Sequence, residues 1–318
     1  MKVLITGAAG FVGSHTCEAL LRLGHEVLGV DALTDYYDPS LKKANLQHLE
    51  GLPGFSLRQA DLGELSDAEL SGLLDGVDVV YHLAAQPGVR SSWQSGFALY
   101  AQANVVVTQR LLEAAHRSSV GRFVYASSSS VYGRAATYPT GEDAPTRPFS
   151  PYGVTKLAAE HLCGLYADNW GVPTVSLRYF TVYGPRQRPD MAMNRFIAAA
   201  LAGREIRVYG DGEQVRDFTY VEDVVAANLA AGLRDGVPPG AVVNVAGGGS
   251  ITVNGLLGVL EGAVGRPVRV VHEPRQPGDV QQTGGSVELA ARLLGWRPRV
   301  EVPEGLARQV AWQQSPAG

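Results

Sequence analysis

Short apolar runs alternate with longer stretches whose apolar residues recur every three or four positions, and this alternation fills the first half of the chain. Residues 2–6, 25–31, 55–60, 77–84, 122–127 and 174–179 read as strands, several of them continuously apolar. Strands of that kind are buried on both faces, as in a parallel sheet covered by helices. Residues 11–23, 101–116 and 151–169 carry helical spacing, so the series predicts right-handed βαβ crossovers. The expected architecture is α/β, a Rossmann-type doubly wound parallel sheet. From about residue 185 Arg, Gly and Pro become frequent and the elements shorten, with 207–209, 242–245 and 268–272 as short strands. We therefore expect a cofactor-binding domain over 1–180 and a smaller C-terminal substrate-binding lobe over 181–318, with elements free to interleave. A frayed tail is expected over 313–318.

Composition narrows the partners. The 318 residues are 45% hydrophobic and 18% charged, which excludes a disordered or collagen-like chain. No apolar run approaches the ~20 residues of a membrane span, and Met1-Lys2 leads straight into a strand with no secretory h-region. The expectation is a cytoplasmic protein without a membrane partner. Cys17 and Cys163 fall in helical patterns without metal-ligand spacing, so we expect a reducing compartment and no metal site. A net charge of −4 leaves no basic surplus for nucleic acid. The lysines are Lys2, Lys42, Lys43 and Lys156 alone, which gives weight to one that falls inside a motif.

The first motif is Gly7-Ala8-Ala9-Gly10-Phe11-Val12-Gly13, between a strand and a helix. Gly7 permits a sharp turn, Gly10 lets the backbone approach a diphosphate, and Gly13 allows close helix packing at the helix N-terminus. Asp31 ends the next strand, where a carboxylate accepts hydrogen bonds from ribose hydroxyls. Its charge favours NAD over a cofactor with a 2′-phosphate. Asp61 follows the third strand, on the adenine side.

The second constellation is Tyr152-Gly153-Val154-Thr155-Lys156, with a phenol and an ammonium at i and i+4 on one helix face. A cation near a phenol favours the phenolate and draws its pKa toward the range of a general base. Upstream, Ser127-Ser128-Ser129-Ser130 sits at the carboxyl end of a buried strand, where ligands of open α/β sheets bind. His82 lies inside a buried strand and reads as a satisfied core residue.

These motifs, with His82-Leu83-Ala84-Ala85, Val131-Tyr132-Gly133, and Arg178-Tyr179-Phe180 before Gly184-Pro185, resemble the extended short-chain dehydrogenase/reductase family, in particular its nucleotide-sugar epimerases and dehydratases. The likeness runs from Met1 to about Asp279. It implies Tyr152 as catalytic base, Lys156 on the nicotinamide ribose, Ser128 as the hydroxyl partner, and Asn104 as a structural or ribose-supporting group. It also implies Lys42, Leu62, Leu83, Ala84, Ala85 and Tyr179 in the NAD site. A homodimer through the helices from Ala101 and Pro151 is expected on the same ground.

Dehydratases of the family carry an Asp-Glu pair after the hydroxyl position, where this chain has Ser129 and Ser130. Neither serine protonates a leaving hydroxyl at neutral pH, and the glutamate typical of UDP-glucuronate decarboxylases is missing too. Reversible oxidation at C4 remains. The segments Thr34 to Lys42, Gln86-Pro87-Gly88-Val89-Arg90 and Phe180 to Met191 are similar to UDP-glucuronate 4-epimerases. The implied substrate is a UDP-hexuronic acid, with UDP-glucose or UDP-N-acetylglucosamine 4-epimerase and UDP-glucuronate decarboxylase as alternatives, and an NAD-sensing regulator as the non-enzyme reading. Substrate contacts are expected from Pro87, Arg90, Ser128, Ser129, Ser130, Thr181 and Arg188. For the UDP portion the expected residues are Asn194, Val208, Tyr209, Arg216 and Asp279. Arg suits bidentate anion recognition, so Arg188 and Arg216 are candidates for the carboxylate and the diphosphate.

Overall fold

The computed structural model describes residues 1–315 of the chain. Its first half alternates strand and helix: β1 (Lys2–Thr6), α1 (Phe11–Arg22), β2 (Glu26–Asp31), α2 (Pro39–Glu50), β3 (Phe55–Gln59), α3 (Asp67–Leu73) and β4 (Val79–His82), with α2 and α3 added to the expected helices. After two short 3₁₀ turns come α4 (Phe97–Ala101), a π-helical turn (Gln102–Val106) and α5 (Val107–His116), so the expected single helix over 101–116 is a composite. Then follow β5 (Arg122–Ser128), α6 (Pro151–Trp170) and β6 (Thr174–Tyr179).

The second half holds β7 (Thr181–Tyr183), α7 (Ala192–Leu201), β8 (Ile206–Tyr209), β9 (Val215–Arg216), β10 (Phe218–Tyr220) and α8 (Val221–Leu233). It ends with β11 (Ala241–Val245), β12 (Ile251–Thr252), α9 (Val253–Val264), β13 (Val270–Glu273), α10 (Glu288–Leu294) and α11 (Val302–Gln314). Because α11 runs through Gln314, the expected fraying at Gln313 and Gln314 does not occur, and Pro316 to Gly318 lie outside the described residues.

The main sheet has seven parallel strands in the order β11-β6-β5-β4-β1-β2-β3. Strand order reverses at β1 and β4, so their carboxyl ends open a crevice at the topological switch point. The strand expected over 242–245 in the smaller lobe instead pairs with β6 in register Val243↔Leu177, and α8 packs on α1. β11 is apolar except for Asn244 and buried from Val243 to Val245, as a strand in the last slot of a helix-covered sheet requires; the Asn244 amide is bonded to Tyr132 and Thr140. The remaining strands form three two-stranded pairs, β7 with β10, β8 with β13 and β9 with β12. Among the described residues, no helix is long and apolar enough to cross a membrane.

The core lies on both sides of the sheet. One cluster joins Val3, Ile5 and Leu177 to α8, α9 and α11 residues such as Val224, Leu256 and Leu306. The other joins Leu4 and Val80 to Leu111, Phe123 and Cys163. His82 is buried, with Nδ1 bonded to Thr6 Oγ1 at 2.8 Å and Nε2 to Thr108 Oγ1 at 3.0 Å. Burial drives its pKa down to about 3, so it is a neutral core residue.

Candidate active site

The turn after β1 is built from glycine. Gly7 has a φ of +75°, and a Cβ there would stand 2.8 Å from the Ala84 backbone nitrogen. A Cβ on Gly13 would stand 1.9 Å from the Gly7 carbonyl oxygen. Gly10 is the N-cap of α1 and no side chain caps it, so the first-turn N–H groups and the positive helix end are free for an anion. Gly7, Gly10, Phe11, Val12 and Gly13 line a cleft of about 460 Å³. Asp31 lines it too, its carboxylate accepting from Ala9 N at 3.0 Å and Leu33 N at 2.8 Å.

Asp61 and Leu62 stand on the same side, and Lys42 donates to the Thr34 carbonyl at 2.9 Å and lies 5.0 Å from the Tyr37 ring. Leu83, Ala84, Ala85 and Pro87, beyond β4, form the facing wall, and Tyr179 closes the floor at the end of β6. A dinucleotide fits this donor set: an uncapped helix terminus for the diphosphate, an oriented carboxylate for ribose, and apolar walls for the rings.

The chemistry-bearing end is supplied by β5 and α6. Ser128, Ser129 and Ser130 line the cleft where β5 ends, and the Ser128 hydroxyl accepts from Ser130 N at 3.1 Å. Ser150 caps α6 by accepting from Gly153 N at 3.1 Å, and Pro151 starts its first turn, which fixes where Tyr152 and Lys156 enter the cleft. Burial pushes the Tyr152 phenol above its ordinary pKa, while a hydrogen bond from Ser128 and the charge of Arg188 act against that rise. Lys156 donates to the Ala126 carbonyl at 2.8 Å and lies 5.1 Å from the Tyr125 ring. Burial brings its own pKa down to about 7.

The Lys156 ammonium is bonded to a strand carbonyl, and a second cation that the spacing did not announce, Arg188, also favours the phenolate. Asn104 takes the structural one of the two roles that the resemblance implied. It lies in the π-helical turn, where its amide accepts from Gln86 N at 2.7 Å and donates to Gln86 O at 3.0 Å and Thr155 Oγ1 at 3.1 Å. With both amide hydrogens committed, it braces the cleft wall against α6 and does not line the cleft.

Thr181 and Arg188 line the cleft beside Tyr152, and Asp190 holds the Arg188 guanidinium by bonds of 2.9 and 3.0 Å. Tyr209, Arg216 and Asp279 line a second, smaller cavity with Arg134 and Arg275. Arg90 turns to that cavity and away from the nicotinamide end, pairing with Asp279 at 3.0 Å and lying 4.3 Å from the Tyr209 ring. Val208 and Asn194 line neither cavity. Val208 is the inward residue of β8, buried while its neighbour Tyr209 faces out, and Asn194 donates its amide to the Gln187 carbonyl at 2.7 Å.

Three further tyrosines, Tyr36, Tyr37 and Tyr100, stand at the site without having been expected there from the sequence. Tyr36 and Tyr37 line the cleft just before α2, whose Asp38 N-cap and Pro39 were a readable helix start. Tyr100 meets Tyr152 edge to ring at 6.2 Å and donates to the Pro87 carbonyl at 2.6 Å; no sequence signal marked it. Among the described residues no cluster is suited to hold a metal ion.

Comparison with known proteins gives the family. A model of the NAD dependent epimerase/dehydratase family matches residues 3–246. The chain is 42% identical over 319 residues to a Bacillus subtilis protein named as an uncharacterized UDP-glucose epimerase, covering 99% of this chain and 98% of that one. It is 36% identical over 313 residues to the UDP-glucuronate 4-epimerase of Thermodesulfobacterium geofontis, covering 98% and 95%. The fold matches a crystal structure of UDP-glucuronic acid 4-epimerase from Bacillus cereus in complex with UDP-glucuronic acid and NAD, with a TM-score of 0.94, 42% identity and 98% of both chains covered. The chain belongs to the NAD dependent epimerase/dehydratase family.

Proposed function

We propose that this protein interconverts UDP-glucuronate and UDP-galacturonate by NAD-dependent epimerisation at C4. One observation carries the reading. The cleft that holds Tyr152 also holds an arginine and a set of hydroxyls, Ser128 to Ser130 and Thr181, while its carboxylates, Asp31 and Asp61, sit at the nucleotide end. An acid-base pair for elimination is therefore missing where Tyr152 works, and an anion-binding set stands in its place.

In this reading Tyr152 takes the C4 hydroxyl proton, directly or through Ser128, as the hydride leaves C4. Bound NAD would supply the hydride acceptor and a positive charge that favours the phenolate. Ser129, Ser130, Thr181 and Arg188 fix the C5 carboxylate, and Tyr209, Arg216 and Asp279 take the UDP portion. Lys156 holds the nicotinamide ribose. The domain over 1–180, completed by α8 and β11, carries the cofactor, and the rest of 181–318 carries the nucleotide sugar. We also infer a cytoplasmic homodimer. Phe97, Leu99, Val106, Val154, Leu165 and Trp170 are exposed along α4 to α6, and both thiols are free and buried.

The test is incubation of the purified protein with NAD and, separately, UDP-glucuronate, UDP-glucose and UDP-N-acetylglucosamine, with product separation. UDP-galacturonate as the dominant product is expected. Faster epimerisation of a neutral sugar, or a pentose product from the native protein, would overturn the reading.

A further inference from the structure

Thr181 and Arg188 stand at the two ends of one segment, and the turn between them is held from outside. Gly184 has a φ of +134° and Arg186, a non-glycine residue, a φ of +63°. Glycine adopts such a φ freely, but a side-chain-bearing residue like Arg186 holds it only where the surroundings impose it. From α1, Glu18 pairs with Arg186 at 2.8 Å and His15 Nε2 meets the Pro185 carbonyl at 3.0 Å. From α11, at the far end of the chain, comes Gln309.

Gln309 is fully buried, with Leu306 and Val310 as buried neighbours on its helix. An amide in such a place costs stability unless its atoms are bonded, and a residue there for packing alone would be another leucine. Its Oε1 accepts from Gly184 N at 2.9 Å, and its Nε2 donates to Gln187 Oε1 at 2.9 Å. Gln187, also buried, passes the restraint on by donating to the Val182 carbonyl at 2.9 Å, one residue from Thr181. One side chain thus clamps both ends of the turn that separates Thr181 from Arg188.

We propose that Gln309 is a positioning residue that sets Thr181 and Arg188 and so decides whether the oxidised sugar keeps its carboxylate. The proposal rests on the UDP-glucuronate reading above. A 4-keto uronate is a β-keto acid. When its C5–C6 bond aligns with the C4 carbonyl, that bond breaks, CO₂ leaves, and the electron pair passes to the C4 oxygen as an enolate, which takes a proton at C5. The hydride already removed from C4 then stays on the cofactor. Holding the carboxylate out of that alignment needs fixed partners, and slack in the 184–187 turn loosens both of them.

The experiment compares native protein with Gln309→Met and Gln187→Met, which break the clamp from opposite sides, and with Gln309→Glu, which keeps the acceptor for Gly184 N but loses the donor. Each is incubated with NAD and UDP-glucuronate. The ratio of UDP-4-keto-pentose to UDP-galacturonate product is measured, together with the reduced nicotinamide that accompanies the ketone. Unfolded protein adds to neither product, so the ratio is blind to a loss of stability. We expect the decarboxylated share to rise several-fold in both methionine variants, with matching reduced nicotinamide, and by less in Gln309→Glu. A native ratio in the two methionine variants, whatever their rates or melting temperatures, overturns the role of Gln309. If the native protein itself makes no UDP-galacturonate, the functional reading fails, and the inference with it.

Discussion

Opposed influences meet at the Tyr152 hydroxyl. Burial destabilises its phenolate, and the Arg188 charge and the Ser128 hydrogen bond stabilise it. A cation lowers a neighbouring phenol's pKa, so removing it raises that pKa and leaves less base at neutral pH. Arg188→Gln is therefore expected to move the acid limb of the kcat/KM profile to higher pH, and for every pH unit the limb moves, the rate at neutral pH falls about tenfold. A pH–rate profile checks this; a limb that stays in place while KM rises would leave Arg188 as an anion holder only. Spacing on one helix was enough to find Tyr152 and Lys156. It did not show that Arg188 also acts on the phenol, because Arg188 arrives from a later loop.

At the scale of elements, the glycine turn shows how little freedom the cofactor site allows. A methyl group on Gly13 would overlap the Gly7 carbonyl, so Gly13→Ala must push α1 away from β1. The expected cost is about 1–3 kcal/mol of stability, as for other overpacked sites, together with at least a roughly tenfold loss of NAD affinity. Thermal denaturation and a cofactor titration check both; native values for each would show that α1 moves without cost. The β1–turn–α1 unit was legible because strand, glycines and helix are contiguous in sequence. The place of β11 was not, since a short apolar run carries no mark of which sheet it joins. Its partner β6 lies on the far side of α7 and α8 in the sequence. Asn104 shows the same limit, as its hydrogen bonds reach Gln86 and Thr155 across the fold.

The whole molecule brings together five stretches of chain, the start of α6 with its Tyr152 among them. The turn after β1, the wall after β4, the serines after β5, the first turns of α6 and the loop after β7 meet at the carboxyl edge of the sheet, where the strand order reverses. That convergence is what lets one cleft hold a cofactor, a base and an anion-binding set, and it makes oxidation and return at a single carbon the natural chemistry of the site. The claim is tested most directly with UDP-glucuronate carrying deuterium at C4 in ordinary water. If the hydride that leaves C4 is the one that comes back, the UDP-galacturonate formed keeps deuterium at C4. Product with solvent hydrogen at C4 would mean that the centre is inverted by proton exchange, and the assignment of Tyr152 and its cofactor site would be wrong.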